Sequence, residues 1–100
     1  MANHVKFESK VEGAAIDLVI FDIEGVQVSA GPLSIKYEKD INDGTLNVDY
    51  KIGGPNGASF KIKYSCTSDG QPKTDLQKPS PITGSIAENG GVIVTIKIPL

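Results

Sequence analysis

His4 and Cys66 are the only histidine and the only cysteine of this chain. They could act as base and thiol nucleophile only if the fold brought them together. Cys66 ends the alternating run Phe60, Ile62, Tyr64, which places its thiol on that run's apolar face. Buried cysteines behave as small, inert hydrophobes. His4 stands close to the start of the chain, where side chains fray. The expectation is therefore no catalytic residue, no enzyme and no cofactor.

The carboxylates offer a second kind of chemistry. Asp40-Ile41-Asn42-Asp43-Gly44 has the oxygen density of a calcium loop. An EF-hand requires glycine at its sixth position and glutamate at its twelfth. Counted from Asp40, those positions hold Thr45 and Lys51, and the motif fails. The same residue types are what a turn needs for its own backbone. A weak calcium site on Asp40, Asn42 and Asp43, drawing on Asp22 or Glu24, is the alternative. Glu8 and Glu12 share a strand face with Lys6 and Lys10, which is an ordinary solvated face rather than a glycosidase pair. Gly53-Gly54-Pro55-Asn56-Gly57 has no following helix and no Gly-Lys-Ser/Thr, so it is not a phosphate loop.

What the chain lacks narrows its partners. All ten basic residues are lysine, and there is neither arginine nor tryptophan. Bidentate clamps for phosphate or guanine are absent, and so is the best stacking surface for sugars and bases. With a net charge of −2 no nucleic-acid partner is expected. A carbohydrate partner is conceivable but lacks the tryptophan that would support it. No stretch approaches the ~20 apolar residues of a membrane span. A lone cysteine and an N-terminus without a signal-type apolar run point to the cytoplasm. Residues 1–50 carry nine acids and four lysines, residues 51–100 three acids and six lysines. Interleaved strands would turn that asymmetry into cross-strand complementarity.

The elements that position these residues are read from strict two-residue alternation. Val92, Val94, Ile96 and Ile98 share one face, as do Leu46, Val48, Tyr50 and Ile52, and Phe60, Ile62 and Tyr64. Side chains at i, i+2 and i+4 point one way in a strand, so each run buries one face. Eight strands are predicted, at 4–12, 15–23, 25–29, 32–39, 45–52, 58–66, 82–86 and 91–99. The second is apolar on both faces at Val19–Phe21 and reads as central. A helix is its competing assignment, because Ile16, Val19, Ile20 and Ile23 also fit a 3.6 period; its β-branched content favours a strand. The fold class is all-β, a single-domain antiparallel β-sandwich spanning 1–100, immunoglobulin- or fibronectin-like in architecture. The cysteine pair and tryptophan of an immunoglobulin core are absent.

Asn42-Asp43-Gly44, Gly53–Gly57 and Glu88-Asn89-Gly90-Gly91 each lie between two alternating runs and are read as hairpin turns. Charge then selects a register. Tyr37 pairs with Val48 and Ile35 with Tyr50, and Asp49 sits between Lys36 and Lys61 on the wet face of a three-stranded meander. In the last hairpin Ile86 pairs with Val92 and Ile82 with Ile96. Phe21, Val48, Phe60, Ile62, Val94 and Ile96 are expected in the core. The segment Thr67–Pro81 is long, rich in proline and without periodicity. It is either a plain crossover pinned by Leu76 or a binding loop.

Function is expected at the surface. The strand 91–99 has no charge before Lys97 and no proline before Pro99. Natural edge strands carry such residues to prevent pairing. If it lies at an edge, it invites a protein partner or a second copy. The candidate interaction residues are Ile93 and Thr95 on that strand and Asp69, Lys73, Asp75 and Lys78 in the 67–81 loop. A carbohydrate- or calcium-binding module using that loop and the hairpin tips is the alternative.

Overall fold

The computed structural model describes residues 2–100, with only the backbone of Glu88 included. Nine strands follow one another: β1 (Asn3–Glu12), β2 (Leu18–Ile23), β3 (Val26–Gly31), β4 (Ser34–Ile41), β5 (Thr45–Gly53), β6 (Ser59–Ser68), β7 (Gln71–Lys73), β8 (Ile82–Ser85) and β9 (Gly91–Pro99). One 3-10 turn, Glu88–Gly90, precedes β9. The first sheet has the order β4-β1-β6, with β7 and β8 both on the outer side of β6. The second has the order β3-β2-β5-β9, and every pairing is antiparallel. The two sheets pack as a β-sandwich.

Alternation builds the core as expected. β1 buries Val5, Phe7, Ser9 and Val11, β5 buries Leu46, Val48, Tyr50 and Ile52, and β6 buries Phe60, Ile62, Tyr64 and Cys66. Phe21 meets Tyr50 edge to face at 5.4 Å, and Phe7 stacks on Tyr64 at 6.1 Å. Such pairs are worth about 0.5–1.5 kcal/mol each beyond their burial. Ser9 is the polar residue at the centre. Its hydroxyl donates to the Lys63 carbonyl at 2.9 Å and meets the Tyr50 hydroxyl at 2.7 Å, tying the sheets together. Of the six expected core residues five are buried, and Val94, in the middle of β9, is half-buried. β2 is central, between β3 and β5, but begins at Leu18, because the chain turns at Ala14-Ala15 first.

Strand pairing departs from expectation. β4 pairs with β1, not β5; β6 pairs with β1, not β5; and β8 and β9 belong to different sheets. The three-stranded meander does not exist, and Tyr37–Val48, Ile35–Tyr50, Ile86–Val92 and Ile82–Ile96 are not paired. Lys36 and Lys61 lie on the first sheet, whereas Asp49 lies on the second, opposite Asp22 and Thr95. The reason is physical. A chain that turns back within a sheet and one that arches to the facing sheet both keep the same alternate residues in the core, so periodicity cannot separate them. The charge term used to choose a register is worth only ~0.2–1 kcal/mol per pair. True hairpins occur instead at Glu24-Gly25 and Asp69-Gly70, where both residues have positive φ (54° and 78°, 51° and 79°) as a type I′ turn requires. Asp43 and Gly44 have no positive φ, and the chain there crosses between sheets.

Candidate functional site

A sandwich meets its surroundings at its faces and at the outer edges of its sheets. β4 is guarded by Lys36, Glu38, Lys39 and Asp40, all exposed. β3 is short, and its register against β2 shifts at a bulge between Phe21 and Asp22. Bulges of this kind protect edges. The outer side of β6 is covered along its length. β8 pairs with Ser59–Ile62, the Tyr64 N–H donates to the Ser80 hydroxyl at 3.1 Å, and β7 pairs with Cys66–Ser68.

β9 is different. It runs in unbroken register with β5 from Gly91 to Pro99, and among the described residues no strand pairs with its other side. Alternation fixes which backbone groups face out. Gly53 and Asn47 turn their carbonyls away from β9, to the N–H groups of Asp17 and Glu24. Their opposite numbers, Gly91 and Lys97, are therefore in non-bonded pairs, and Gly91, Ile93, Thr95 and Lys97 direct their backbone groups outward. Two of these groups are covered. The Lys97 N–H donates to Asp75 Oδ2 at 2.9 Å, and the Thr95 carbonyl accepts from Lys78 Nζ at 2.7 Å. The outward groups of Ile93 and the Thr95 N–H have no partner among the described residues.

The cover over the far half of β9 is the 74–81 segment, which works as a strap between the sheets. Its hub is the Tyr64 hydroxyl. It donates to the Lys78 carbonyl at 2.7 Å and accepts from the Asp75 N–H at 3.1 Å, with the Thr74 hydroxyl 2.9 Å away. Asp75 is buried and its Oδ1 accepts from the N–H groups of Gln77 and Lys78, while Oδ2 takes Lys97. Burial pushes this carboxyl up, but the three backbone donors and the Lys78 charge outweigh it and hold the pKa below its ordinary value. Leu76 pins nothing: it is 83% exposed. The local signal for the strap was an aspartate able to cap the N–H groups two and three residues on.

The outer face of the second sheet adds an apolar patch to this edge. Ile20, Lys51 and Ile93 are cross-strand neighbours in one row, and Leu18 stands in the next beside Gly53 and Gly91. Ile93 is 65% exposed and Leu18 40%. Lys51 does not break the patch with a free charge, because its ammonium binds Asp22 Oδ2 at 2.9 Å. The hydroxyl of Thr95 donates to Asp49 at 2.7 Å, so this side chain is occupied within its own face.

The remaining candidate residues do not converge. His4 lies on the outer face of the first sheet and Cys66 faces the core, so base and thiol point to opposite sides. Burial raises the Cys66 thiol to about 11. His4 is not frayed. Its Nδ1 meets Asp40 Oδ1 at 2.8 Å, its Nε2 meets Glu38 at 2.5 Å, and its backbone exchanges two bonds with Asp69. The hydrogen bond to Asp40, then that to Glu38, raises its pKa. Asp40 is thus engaged by His4, Asn42 and Asp43 stay exposed on the crossover, and no group of three or more potential metal ligands forms among the described residues. Asp69 makes the β6–β7 turn, and Lys73 ends β7 opposite Cys66. Comparison with protein-family models, curated proteins and solved structures finds no match.

Proposed function

We propose that this protein is a non-enzymatic association module that takes up a partner strand along the Gly91–Thr95 half of β9. The architecture is read as immunoglobulin-like on the same footing, from its two antiparallel sheets and the connections that cross between them. One observation carries the functional reading: an uncharged edge in unbroken register, with outward backbone groups that no strand covers among the described residues, and Ile93 exposed on it. Strand addition of this kind draws affinity from main-chain hydrogen bonds and specificity from alternate side chains. β4 opposes it with charge and β3 with a bulge; the near half of β9 has neither.

The test uses an extended probe with no relation to this chain, a soluble peptide alternating valine and threonine. Titration into isotope-labelled protein should shift the amide signals of Ile93 and Thr95, with Leu18 and Ile20 following. Shifts confined to β3 and β4, or none at saturating peptide, would overturn the proposal.

A further inference from the structure

We infer that the strand taken up by β9 is the β9 of a second copy of this chain, paired antiparallel about Ile93. This rests on the reading of β9 as an association edge and names its partner. The open stretch reads Gly91-Val92-Ile93-Val94-Thr95, with Ile93 at its centre. A two-fold axis there sets Ile93 against its own copy and Gly91 against Thr95 of the other chain. Residues 91, 93 and 95 already direct their backbone groups outward, which is what a bonded antiparallel pairing in this register needs. The Ile93 N–H and carbonyl of each copy then exchange bonds, and each Thr95 N–H reaches the opposing Gly91 carbonyl.

The strap explains why a second copy fits. On one chain it blocks the edge from Thr95 onward, through Lys78 and Asp75. In the antiparallel register that end meets the other chain where Asn89 and Gly90 turn away at positive φ (72° at both). Each copy therefore stops pairing where its partner is obstructed. A longer foreign strand would run into the strap. The charges also agree. No side chain of the paired stretch is charged; Lys51 beside Ile93 is matched by Asp22 within its own chain, Asp49 is held by the Thr95 hydroxyl, and the Lys78 ammonium sits on the Thr95 carbonyl, at the end of the stretch. The row Ile20-Lys51-Ile93 continues into its symmetry mate, so the two exposed isoleucines at 93 cover one another. A contact five residues and about 17 Å long is much smaller than a standard interface of ~800 Å² per partner, so pairing is weak, with Kd in the micromolar range or above.

The experiment combines sedimentation with site-directed crosslinking in the full chain. Sedimentation from about 10 μM to about 1 mM should show a monomer–dimer equilibrium. Added salt should strengthen it, because both copies carry net −2 and the paired stretch has no charged side chain of its own. Ile93→Lys should weaken it at least ~10-fold. Under mild oxidation Ile93→Cys should give a covalent dimer, since bonded antiparallel partners lie about 5.5 Å apart at Cα. Lys97→Cys should not, because in this register its two copies are roughly 27 Å apart. The parent protein is the control, with Cys66 buried. Crosslinking at both positions would overturn the antiparallel register. A parent that stays monomeric at the highest concentration would overturn the second copy as partner. The valine–threonine peptide then decides separately whether the edge accepts any strand.

Discussion

The outer sides of β6 and β9 both meet the chain between β7 and β8, with different outcomes. β6 is covered along its length, by β8, by the Ser80 hydroxyl on the Tyr64 N–H, and by β7. β9 receives only two side chains from the strap: Asp75 covers the Lys97 N–H, and Lys78 covers the Thr95 carbonyl, where the open stretch ends. A pairing strand covers an edge group by group, whereas a side chain covers one or two groups where it lands. The strap thus divides β9 into a satisfied half and an open half. The open half is the uncharged one.

The largest expected effect is at the closed edge. Phe60 pairs with Gly84 of β8, and a Cβ placed on that glycine would lie 2.7 Å from the Phe60 ring. The ring therefore packs directly against β8. Phe60→Ala should destabilise the protein by ~3–5 kcal/mol in chemical denaturation and raise exchange of the β8 amides. A change within the error of the melt would mean that β8 does not depend on this contact. Next is Tyr64→Phe, which removes the strap's hub while preserving the ring. It leaves the Asp75 N–H and the Lys78 carbonyl without their partner and should cost about 1–3 kcal/mol. The Lys97 amide should exchange faster, so that the two halves of β9 become more alike.

Two titrations give the smallest effects and have opposite signs. The folded pKa of Asp75 lies below its ordinary 3.8, so its contribution is complete above that value and is lost as pH falls through the folded pKa. Asp75→Asn should flatten the fall of melting temperature in acid. The folded pKa of His4 lies above its ordinary 6.5. Its contribution is present below 6.5 and is lost as pH rises through the raised value. His4→Gln should remove that decline near neutrality, because His4 clasps β1 to β4 through its bonds to Asp40 and Glu38. Identical acid limbs for Asp75→Asn and the parent would show that the strap does not depend on this carboxylate.

The difference between the two edges also shows what was legible in the sequence. Two-residue alternation marked which residues of β5, β6 and β9 face inward, and the uncharged stretch before Lys97 marked the open edge. Alternation did not reveal that β5 and β6 belong to different sheets, because facing strands and paired strands bury the same alternate residues. Lys36, Asp49 and Lys61 were aligned by a charge term smaller than the core's preference for closing on itself. The strap left only a local signal, the Asp75 cap, for another reason. It is held by side chain-to-backbone bonds from Tyr64 and Asp75, which leave no period. His4 was obscured in the same way, since its carboxylate partners lie on β4, a strand that pairs with β1 only through the fold.

The most direct test of the central claim is amide hydrogen exchange read residue by residue along β9 at two protein concentrations. In dilute solution Ile93 and Thr95 should exchange rapidly while Lys97, bonded to Asp75, and Ile96, bonded into the sheet, are protected. At high concentration Ile93 and Thr95 should slow and Lys97 should not change. Protection of Ile93 and Thr95 in dilute solution, or rates at both that do not respond to concentration, would contradict the account.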